Sequence, residues 1–460
     1  MSTILAEVTE TVVTAGQMLA DEFCRAEGPR FSDTVTAPVD REIELYLRTR
    51  LTTLLPARFV GEEIGVWEAP SNGFCWVVDP HDGTRAFLEG RRGSAVSVAL
   101  LRDGEPVLGV VLAPSSPDRG SDLIAWAEGA PLTRNGQLVR HDLSGRDLRM
   151  DEVVFLNHGS WQRPVWNGRA VAPGRFMPLP SIAYRLARVA AGDGVAAVTL
   201  RPVSALDIAA GHALLTAAGG VLIAEDGAPV TYSALGESRP SACFGGAPKA
   251  VETLRRRTWR GSSEPRQPQL IALGWPREPE GLALDRAIGA MVGLFIGESR
   301  DAVQQGRMSG QPGETGEAVL AFARALAMGT EPSPCSGPSC VVPLAIAAID
   351  PARAAAAEAE KVGANSLAWA NLAAAIAGGL AGAGEDEVIR LAGGRPLDRP
   401  LAEALRGASL GRSAFPPQEV LAVLTCRPDA GLGVRHPRPF ALWPNDLLDL
   451  AEALLLSRRP

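Results

Sequence analysis

Long apolar runs are missing from this 460-residue sequence. The longest, at about residues 287–297, is shorter than the roughly 20 residues that a membrane-spanning helix needs. The N-terminus, which begins Met1-Ser-Thr-Ile-Leu, also lacks the basic and apolar stretches of a signal peptide. These absences predict a cytoplasmic protein that has no membrane partner.

Clustered basic residues are also missing. The sequence has 45 Lys and Arg residues against 52 Asp and Glu, a formal net charge of −7, and its densest basic cluster is Arg255-Arg256-Arg257. Proteins that bind nucleic-acid backbones present clustered cations to the phosphates. The sequence therefore argues against a nucleic-acid polymer as a partner, although metal ions can still hold a small anionic substrate.

Cysteine is scarce, with six residues in the chain. Only Cys335 and Cys340 lie close together, and no second pair of Cys or His residues completes a zinc-binding pattern. Scattered cysteines of this kind are typical of free thiols in a reducing compartment. We therefore expect free thiols throughout the chain.

The composition changes near the middle of the chain. Helical and strand-like segments alternate up to residue 259, residues 260–269 are polar and contain proline, and an Ala- and Leu-rich sequence with helical periodicity follows. This pattern predicts two domains joined by a linker. We expect a layered α/β domain over residues 1–259, a linker over 260–274 and an all-α domain over 275–460.

The most informative segment is Trp76-Val-Val-Asp-Pro-His-Asp-Gly-Thr84. Its apolar run predicts a buried strand, which ends in the carboxylates Asp79 and Asp82 and is followed at once by Gly83 and Thr84. Carboxylates are hard oxygen ligands that suit Mg²⁺, and Mg²⁺ suits phosphate chemistry. The order therefore predicts metal ligands and a phosphate-sized pocket at one strand-to-helix junction.

Two further acidic segments are weak signals when taken alone. Gly61-Glu62-Glu63 is typical of a solvated turn, and Asp207, in Leu206-Asp-Ile-Ala-Ala-Gly211, is typical of a helix N-cap. Even the Asp-Pro-His-Asp-Gly stretch has the composition of a plain turn. The three segments become informative only when their order and separation are considered together.

In that order, the three segments resemble the inositol monophosphatase superfamily of metal-dependent, lithium-sensitive phosphatases. Members of this superfamily carry Gly-Glu-Glu, then Asp-Pro-x-Asp-Gly-Thr, then Trp-Asp-x-Ala-x-Gly. The similarity covers roughly residues 5–258. It implies an αβαβα sugar-phosphatase-like fold and the hydrolysis of a small phosphomonoester by a metal-activated water, without a covalent intermediate.

The resemblance also implies the metal ligands, residue by residue. They would be the side chains of Glu62, Asp79, Asp82 and Asp207 and the backbone carbonyl of His81. These groups would hold two or three Mg²⁺ ions, for which Mn²⁺ is a substitute. Every acidic ligand of the family is present, so we expect an active metal site.

Catalytic and substrate-binding roles are implied in the same way. Glu62 would take part in catalysis, and the Thr84 hydroxyl, paired with Asp40, would orient the attacking water. Gly83 and Thr84 would present backbone N–H groups to the phosphate at a helix start. Asp207 would contact the substrate as well as the metal.

The chain departs from the family pattern at three places. Leu206 replaces the usual Trp, and His81 replaces the usual Leu, so we expect the His81 imidazole to pack locally or face solvent rather than bind metal. The segment Thr36-Ala-Pro-Val-Asp40 has one residue more between Thr and Asp than the family has. This insertion weakens the assignment of Asp40.

The substrate class depends on a few residues. Asp82-Gly-Thr-Arg-Ala-Phe87 and the following Ser94-Ala-Val-Ser-Val-Ala-Leu100 are closer to the branch that acts on 3′(2′),5′-bisphosphate nucleotides than to the inositol branch. The resemblance therefore favours a nucleotide substrate of that kind and leaves other sugar phosphates open.

The second half of the chain is similar to the ADP-ribosylglycohydrolase family, beginning with the helix Leu284–Glu298. Small residues at positions 289, 293 and 297 are equally typical of close helix packing. The first metal motif of that family is reduced to Gly313-Glu-Thr-Gly316, and no Asp-x-Asp follows residue 270. We therefore interpret this half as a non-catalytic relative that binds a nucleotide, caps the phosphatase site or mediates assembly, for example as a homodimer.

Two other functions stay open from the sequence. One is an ADP-ribose-related hydrolase that acts through the second half of the chain. The other is a scaffold that has lost catalysis in both halves.

Overall fold

The computed structural model describes residues 1–31, 37–69, 72–150, 152–268, 271, 274–304, 314–335, 337–393, 397–425 and 446–458. The chain forms two compact units. One, the α/β unit, comprises Met1–Arg266 and Trp275–Arg277, and the other, the helical unit, comprises Gln267–Gly274 and Glu278–Pro460. The predicted linker includes residues 269–270 and 272–273, which lie outside the described residues.

All the described strands belong to the α/β unit. They are β1 Arg58–Gly61, β2 Val66–Trp67, β3 Phe74–Asp82, β4 Ala95–Arg102, β5 Glu105–Ser116, β6 Gly120–Ala127, β7 Thr133–Arg134, β8 Gln137–Leu138, β9 Val153–Asn157, β10 Arg175–Leu179, β11 Ala196–Thr199, β12 Val221–Ala224 and β13 Cys243–Gly246. One sheet has eight strands in the order β2-β1-β3-β4-β5-β6-β7-β8, and the other has five in the order β10-β9-β11-β13-β12.

Helices occur in both units. Those of the α/β unit are α1 Ser2–Phe23, α2 Pro38–Leu54, α3 Thr84–Leu88, α4 Pro164–Val171, α5 Ile182–Ala190, α6 Ala205–Ala217 and α7 Pro248–Arg255. Those of the helical unit are α8 Leu282–Gln304, α9 Glu314–Ala327, α10 Val341–Ala347, α11 Pro351–Lys361, α12 Ser366–Leu380, α13 Glu385–Leu391, α14 Arg399–Leu410, α15 Pro417–Leu424 and α16 Leu447–Leu456. The α/β class of the first unit and the helical nature of the second are as predicted, whereas the domain boundaries stay predictions.

The α/β unit is built in five layers. Helices α1 and α2 cover one face of the eight-stranded sheet, α5 and α6 lie between the two sheets, and α4 and α7 pack on the five-stranded sheet. Because side chains alternate along a strand, β5 serves two layers. Val110 and Leu112 join the core beneath α1, while a Cβ at Gly109 would come within 2.5 Å of the Ala210 carbonyl of α6. The result is the αβαβα order that the resemblance implies.

A buried charge cluster ties α5 to the loops of both sheets. The fully buried guanidinium of Arg188 binds Asp118 through two hydrogen bonds of 2.7 and 2.8 Å and Asp193 through one of 2.7 Å. Arg119 and Arg134 also donate to Asp193, at 2.6 and 2.8 Å. Burial acts to raise the pKa of Asp118 and of Asp193, but Arg188 together with the neighbouring arginines outweighs it, so both pKa values lie below their ordinary range.

Close helix packing organises the helical unit. A Cβ at Gly293 of α8 would lie 2.3 Å from the Glu403 carbonyl of α14, and one at Gly289 would lie 2.5 Å from the Gly407 carbonyl. The packing role of these small residues is therefore observed. Gly313, in the reduced metal motif, lies outside the described residues.

The expectation of free thiols is wrong for one pair. Cys335 and Cys340 form a disulfide, because the turn before α10 brings their Cα atoms to 6.2 Å. Cys75 and Cys243 are free thiols, and Cys426 lies outside the described residues.

Among the described residues, no helix combines the length and the apolar character needed to span a bilayer. The cytoplasmic location stays a prediction.

Arg188→Met should destabilise the α/β unit by about 3–5 kcal/mol at pH 7, because it leaves two buried carboxylates without their main cation. Asp118 and Asp193 have lowered pKa values in the folded state, so the stability they contribute is present above their unfolded pKa and is lost as the pH falls. Without Arg188, burial favours the protonated forms of both carboxylates, so the deficit of the variant should begin to shrink as the pH falls from 7 towards 4. Differential scanning calorimetry of both proteins across this pH range measures the difference in unfolding free energy.

Arg256→Met is the matched control for this experiment, because Arg256 pairs with Glu252 on the surface with 71% of its side chain exposed. An Arg188→Met deficit that matches this control, or that stays constant with pH, would contradict the stabilising role of the cluster.

Gly293→Ala should lower the melting temperature of the helical unit, because the added methyl group meets a backbone carbonyl that cannot rotate away. Gly378→Ala is the control, since its Cβ would meet only the end of the flexible Leu391 side chain, at 3.0 Å. Alanine is also the better helix former by about 1 kcal/mol. Circular dichroism should show destabilisation for position 293 alone, and equal melting of the two variants would argue against tight α8–α14 packing.

Candidate metal centre

Three carboxylates meet at one edge of the eight-stranded sheet. One oxygen from each of Asp79, Asp82 and Asp207 lies within 4.8 Å of the other two. Asp79 and Asp82 are only 2% and 8% exposed. Acidic side chains are almost never buried this deeply without a partner of opposite charge.

A bulge in β3 explains how two of these carboxylates meet. Residues three apart on a regular strand point to opposite faces of the sheet. Here Asp79 pairs with Ser97 and Asp82 with Ala95, so three steps along β3 match two steps along β4. The extra residue brings both carboxylates to the same side.

Strand direction places Glu62 next to this group. β1 runs parallel to β3 with Gly61 opposite Val78, so both strands end at the same edge and Glu62 follows beside Asp79. Glu62 is more exposed than the three aspartates, and its charge acts to raise the pKa of Asp79. The structure thus places the fourth predicted ligand at the solvent side of the group.

Glu44, which the sequence analysis missed, holds the turn that carries Glu62. Its fully buried carboxylate accepts hydrogen bonds from the backbone N–H groups of Glu63 at 2.7 Å and Ile64 at 2.9 Å. Gly61 must lack a side chain, since a Cβ there would lie 2.0 Å from a Glu44 oxygen. The sequence signal that could have identified Glu44 is a carboxylate on the face of α2 that carries the buried apolar residues.

Asp82 and Asp207 are each held by a serine that precedes a helix. Ser181 donates its hydroxyl to Asp82 at 2.7 Å, and the Ala183 N–H donates to the same oxygen at 2.8 Å. Ser204 donates its N–H and its hydroxyl to Asp207, which completes the capping box of α6. The capping role expected for Asp207 therefore coexists with its place in the acidic group.

The electrostatics of the group favour a cation. Burial, followed by the charge of Glu62, raises the pKa of Asp79 well above its ordinary value. Burial and the charge of Asp207 raise the pKa of Asp82 to about 7 and that of Glu62 to about 7. Hard carboxylate oxygens that repel one another in a buried pocket match the requirements of a divalent ion. The donor set therefore fits the metal that the resemblance implies.

Asp40 lies beside His81. The Nδ1 atom of His81 is 2.7 Å from an Asp40 oxygen, and the Ala37 N–H donates to the other oxygen at 3.3 Å. The Thr84 hydroxyl instead donates to the His81 carbonyl at 2.8 Å. The structure therefore replaces the expected Thr84–Asp40 pair with a His81–Asp40 pair, because His81 supplies a ring nitrogen that the family's usual leucine lacks. Thr36 lies outside the described residues.

The His81 imidazole is packed inside the protein, as expected from the sequence. The residue is 2% exposed, and its ring meets the Phe87 ring edge-on at 4.4 Å between centroids. Its carbonyl, the predicted ligand, accepts the hydrogen bond from Thr84.

Gly83 forms the junction between β3 and α3. Its φ of +103° lies in the left-handed region, which favours glycine, and a Cβ would lie 3.1 Å from the Pro180 side chain. The predicted strand-to-helix junction is present, with Thr84 as the first residue of the helix.

Asp82→Asn should stabilise the metal-free α/β unit, because it removes one of several mutually repelling carboxylates while the amide oxygen can still accept hydrogen bonds from Ser181 and Ala183. The same substitution should remove the rise in melting temperature that Mg²⁺ gives the unsubstituted protein. Differential scanning fluorimetry with EDTA or Mg²⁺ measures both effects.

Asp226→Asn is the matched control, because Asp226 is an exposed turn residue outside the acidic group. A Mg²⁺ response that survives Asp82→Asn would argue against this metal centre.

Comparison with known proteins places the α/β unit in a family. Residues 1–254, more than half of the chain, match the profile of the inositol monophosphatase family. Inositol-1-monophosphatase of Mesorhizobium japonicum is 32% identical over 241 residues, which cover 49% of this chain and 87% of that protein. Histidinol-phosphatase of Mycobacterium tuberculosis is 31% identical over 213 residues, which cover 42% of this chain and 75% of that protein.

A solved inositol monophosphatase structure from Anabaena aligns with 55% of this chain and 94% of that chain, with a TM-score of 0.43 and 23% identity. The family assignment comes from the profile match and from the relatives of at least 30% identity. Members of the family are metal-dependent phosphatases that act on small phosphate esters. The chain therefore belongs to the inositol monophosphatase family and is a metal-dependent phosphatase.

Proposed function

We propose that this protein is a Mg²⁺-dependent phosphomonoesterase that acts on a small nucleotide or sugar phosphate, with a 3′(2′),5′-bisphosphate nucleotide as the favoured substrate. The observation that carries the proposal is the convergence of Asp79, Asp82 and Asp207 with Glu62 beside them. The relatives are named for inositol-1-phosphate and for histidinol phosphate. Family membership therefore indicates that the substrate is a phosphate ester, but it does not identify the alcohol that carries the phosphate.

In this proposal the four carboxylates and the His81 carbonyl hold two or three Mg²⁺ ions, for which Mn²⁺ can substitute. Oxygen donors of this kind favour Mg²⁺ and Mn²⁺ over softer metals. When bound, such ions neutralise phosphate charge and lower the pKa of a water molecule. Because Glu62 lies on the solvent side, it is the ligand best placed to position that water.

The residues after the bulge in β3 would bind the substrate. Gly83 and Thr84 would direct backbone N–H groups at the phosphate, since the N–H groups at a helix start have no partner within the helix. The Thr84 hydroxyl fixes the His81 carbonyl, and Asp40 fixes the imidazole of the same residue. In this arrangement Asp40 helps to position β3, the strand that carries the metal ligands, through its bond to His81. Asp207 would contact the substrate as well as the metal.

The preference for a bisphosphate nucleotide rests on the sequence Asp82–Phe87 and the strand that follows it. The helical unit would serve as a non-catalytic nucleotide-binding relative of the ADP-ribosylglycohydrolases. A homodimer and a cytoplasmic location stay predictions.

A phosphate-release screen tests the proposal. Purified full-length protein with Mg²⁺ should release phosphate from at least one nucleotide, sugar or inositol phosphate, with 3′-phosphoadenosine 5′-phosphate preferred by kcat/KM over inositol-1-phosphate. Asp82→Asn should reduce the rate by at least about 100-fold, since it removes a ligand charge. Asp226→Asn should leave the rate unchanged.

No release from any phosphate ester, or an unchanged rate in Asp82→Asn, would overturn the phosphatase proposal. A preference for inositol-1-phosphate would overturn the substrate alone. Activity that survives Asp82→Asn and hydrolyses ADP-ribose linkages would favour the alternative of a hydrolase in the helical unit.

A further inference from the structure

Four aromatic rings form a continuous line through the α/β unit. The ring of Trp275 meets that of Phe23 edge-on at 5.4 Å between centroids, and Phe23 meets Phe87 at 5.0 Å. Phe87 then meets His81 edge-on at 4.4 Å. The line starts in the short segment Trp275–Arg277 and ends on the strand that carries the candidate metal ligands.

The middle of the line is buried and tightly held. Phe23 and Phe87 are each 2% exposed, so water does not separate their rings. The guanidinium groups of Arg92 and Arg277 flank Phe23 at 5.3 and 5.9 Å from its ring centroid, and both arginines are buried. Cations over an aromatic face are attracted to it. Phe23 therefore contacts both Trp275 and Phe87 from a buried, closely packed position.

Gly28 leaves the room that Trp275 occupies, and a Cβ at Gly90 would lie at ordinary contact distance from the indole. A Cβ at Gly28 would lie 2.8 to 3.0 Å from the Trp275 indole, and one at Gly90 would lie 3.9 Å from it. Gly28 follows the end of α1, and Gly90 follows α3. Trp275 is thus wedged between the turn that follows Phe23 and the turn that follows Phe87.

Trp275 lies far along the chain from Phe23 and Phe87, and residues 267–274 separate it from the rest of its unit. Residues 267–274 and the chain from Glu278 onward belong to the helical unit, whereas Trp275–Arg277 belongs to the α/β unit. The contact with Phe23 is thus made by a short segment between two stretches of sequence that belong to the helical unit.

At the other end of the line, hydrogen bonds join His81 to Asp79 of the acidic group and to the neighbouring residues Thr84 and Asp40. The His81 N–H donates to Asp79 at 2.8 Å, its carbonyl accepts from Thr84, and its Nδ1 atom bonds Asp40. Its Nε2 atom is buried and has no hydrogen-bond partner among the described residues. Beyond the bond to Asp40, the imidazole is therefore held by packing, and Phe87 supplies the face that it packs on.

We propose that Trp275 is a positioning residue of the metal centre. Acting through Phe23 and Phe87, it holds His81 so that the His81 carbonyl and the Asp79 carboxylate keep the geometry that binds metal. This inference rests on the proposed function, since it takes those oxygens as ligands. It also gives the segment Trp275–Arg277 of the α/β unit a role in metal binding without contact to substrate.

The test uses the full-length protein with Trp275→Ala, Trp275→Phe and the control Trp259→Ala. Trp259 lies in the same unit and packs on Phe244 of β13 at 6.3 Å, away from the line of rings. Isothermal titration calorimetry without substrate measures Mg²⁺ affinity, steady-state kinetics measure kcat and KM at saturating Mg²⁺, and fluorimetry measures the melting temperature.

Trp275→Ala should weaken Mg²⁺ binding by about 10-fold, the usual effect of losing support behind a metal ligand. Its KM for the phosphate ester should stay within about 2-fold at saturating Mg²⁺ while kcat falls. Trp275→Phe, which keeps a ring, should restore Mg²⁺ affinity to within about 2-fold of the unsubstituted protein. Trp259→Ala should lower the melting temperature and leave Mg²⁺ affinity unchanged.

Equal Mg²⁺ affinity in Trp275→Ala and Trp259→Ala would overturn the proposal, because Trp275 would then act on stability alone. Failure of Trp275→Phe to rescue would also overturn it. If Trp275→Ala does not fold, Phe23→Leu takes its place with the same expected loss of Mg²⁺ affinity. Unsubstituted protein that binds Mg²⁺ but releases no phosphate would refute the proposed function, while the calorimetry would still decide the role of Trp275.

Discussion

Buried negative charge is the constraint on which the α/β unit depends. Asp79, Asp82 and Asp207 bring carboxylate oxygens within 4.8 Å of one another in a pocket where burial already disfavours the charged forms of Asp79 and Asp82. Only tight backbone and side-chain support can hold such groups together. Ser181 and Ser204 give that support to Asp82 and Asp207, and a divalent cation would offset the charge of the resulting site.

The sequence predicted the parts of the fold whose signals are local. Helices α1 and α6 carry apolar residues at helical spacing. The sequence Asp103-Gly104 is typical of a hairpin turn, and it connects β4 and β5 with Asp103 at a φ of +52°. The site segments were predictable for the same reason, because each is a short motif at one place in the chain. Their meeting in space came from the resemblance, since separation along the chain carries no distance information.

What the sequence missed depends on contacts between distant residues. Glu44 supports a turn 19 residues away, Ser181 supports Asp82 from 99 residues away, and the Asp40 that bonds His81 lies 41 residues before it. Short buried strands such as Ala196–Thr199 also escaped prediction, because a four-residue apolar run fits a helix as well as a strand. Tertiary pairing, and not local preference, decides these features.

The most direct test of this account is a crystal structure of the protein grown with Mn²⁺, with the metal located by its anomalous scattering. At least one anomalous peak should lie between the oxygens of Asp79, Asp82 and Asp207. Its distance from each oxygen should be about 2.0–2.3 Å, as in other sites where hard divalent ions bind carboxylates. Carboxylates that point away from one another, or metal bound only elsewhere in the chain, would contradict the central claim.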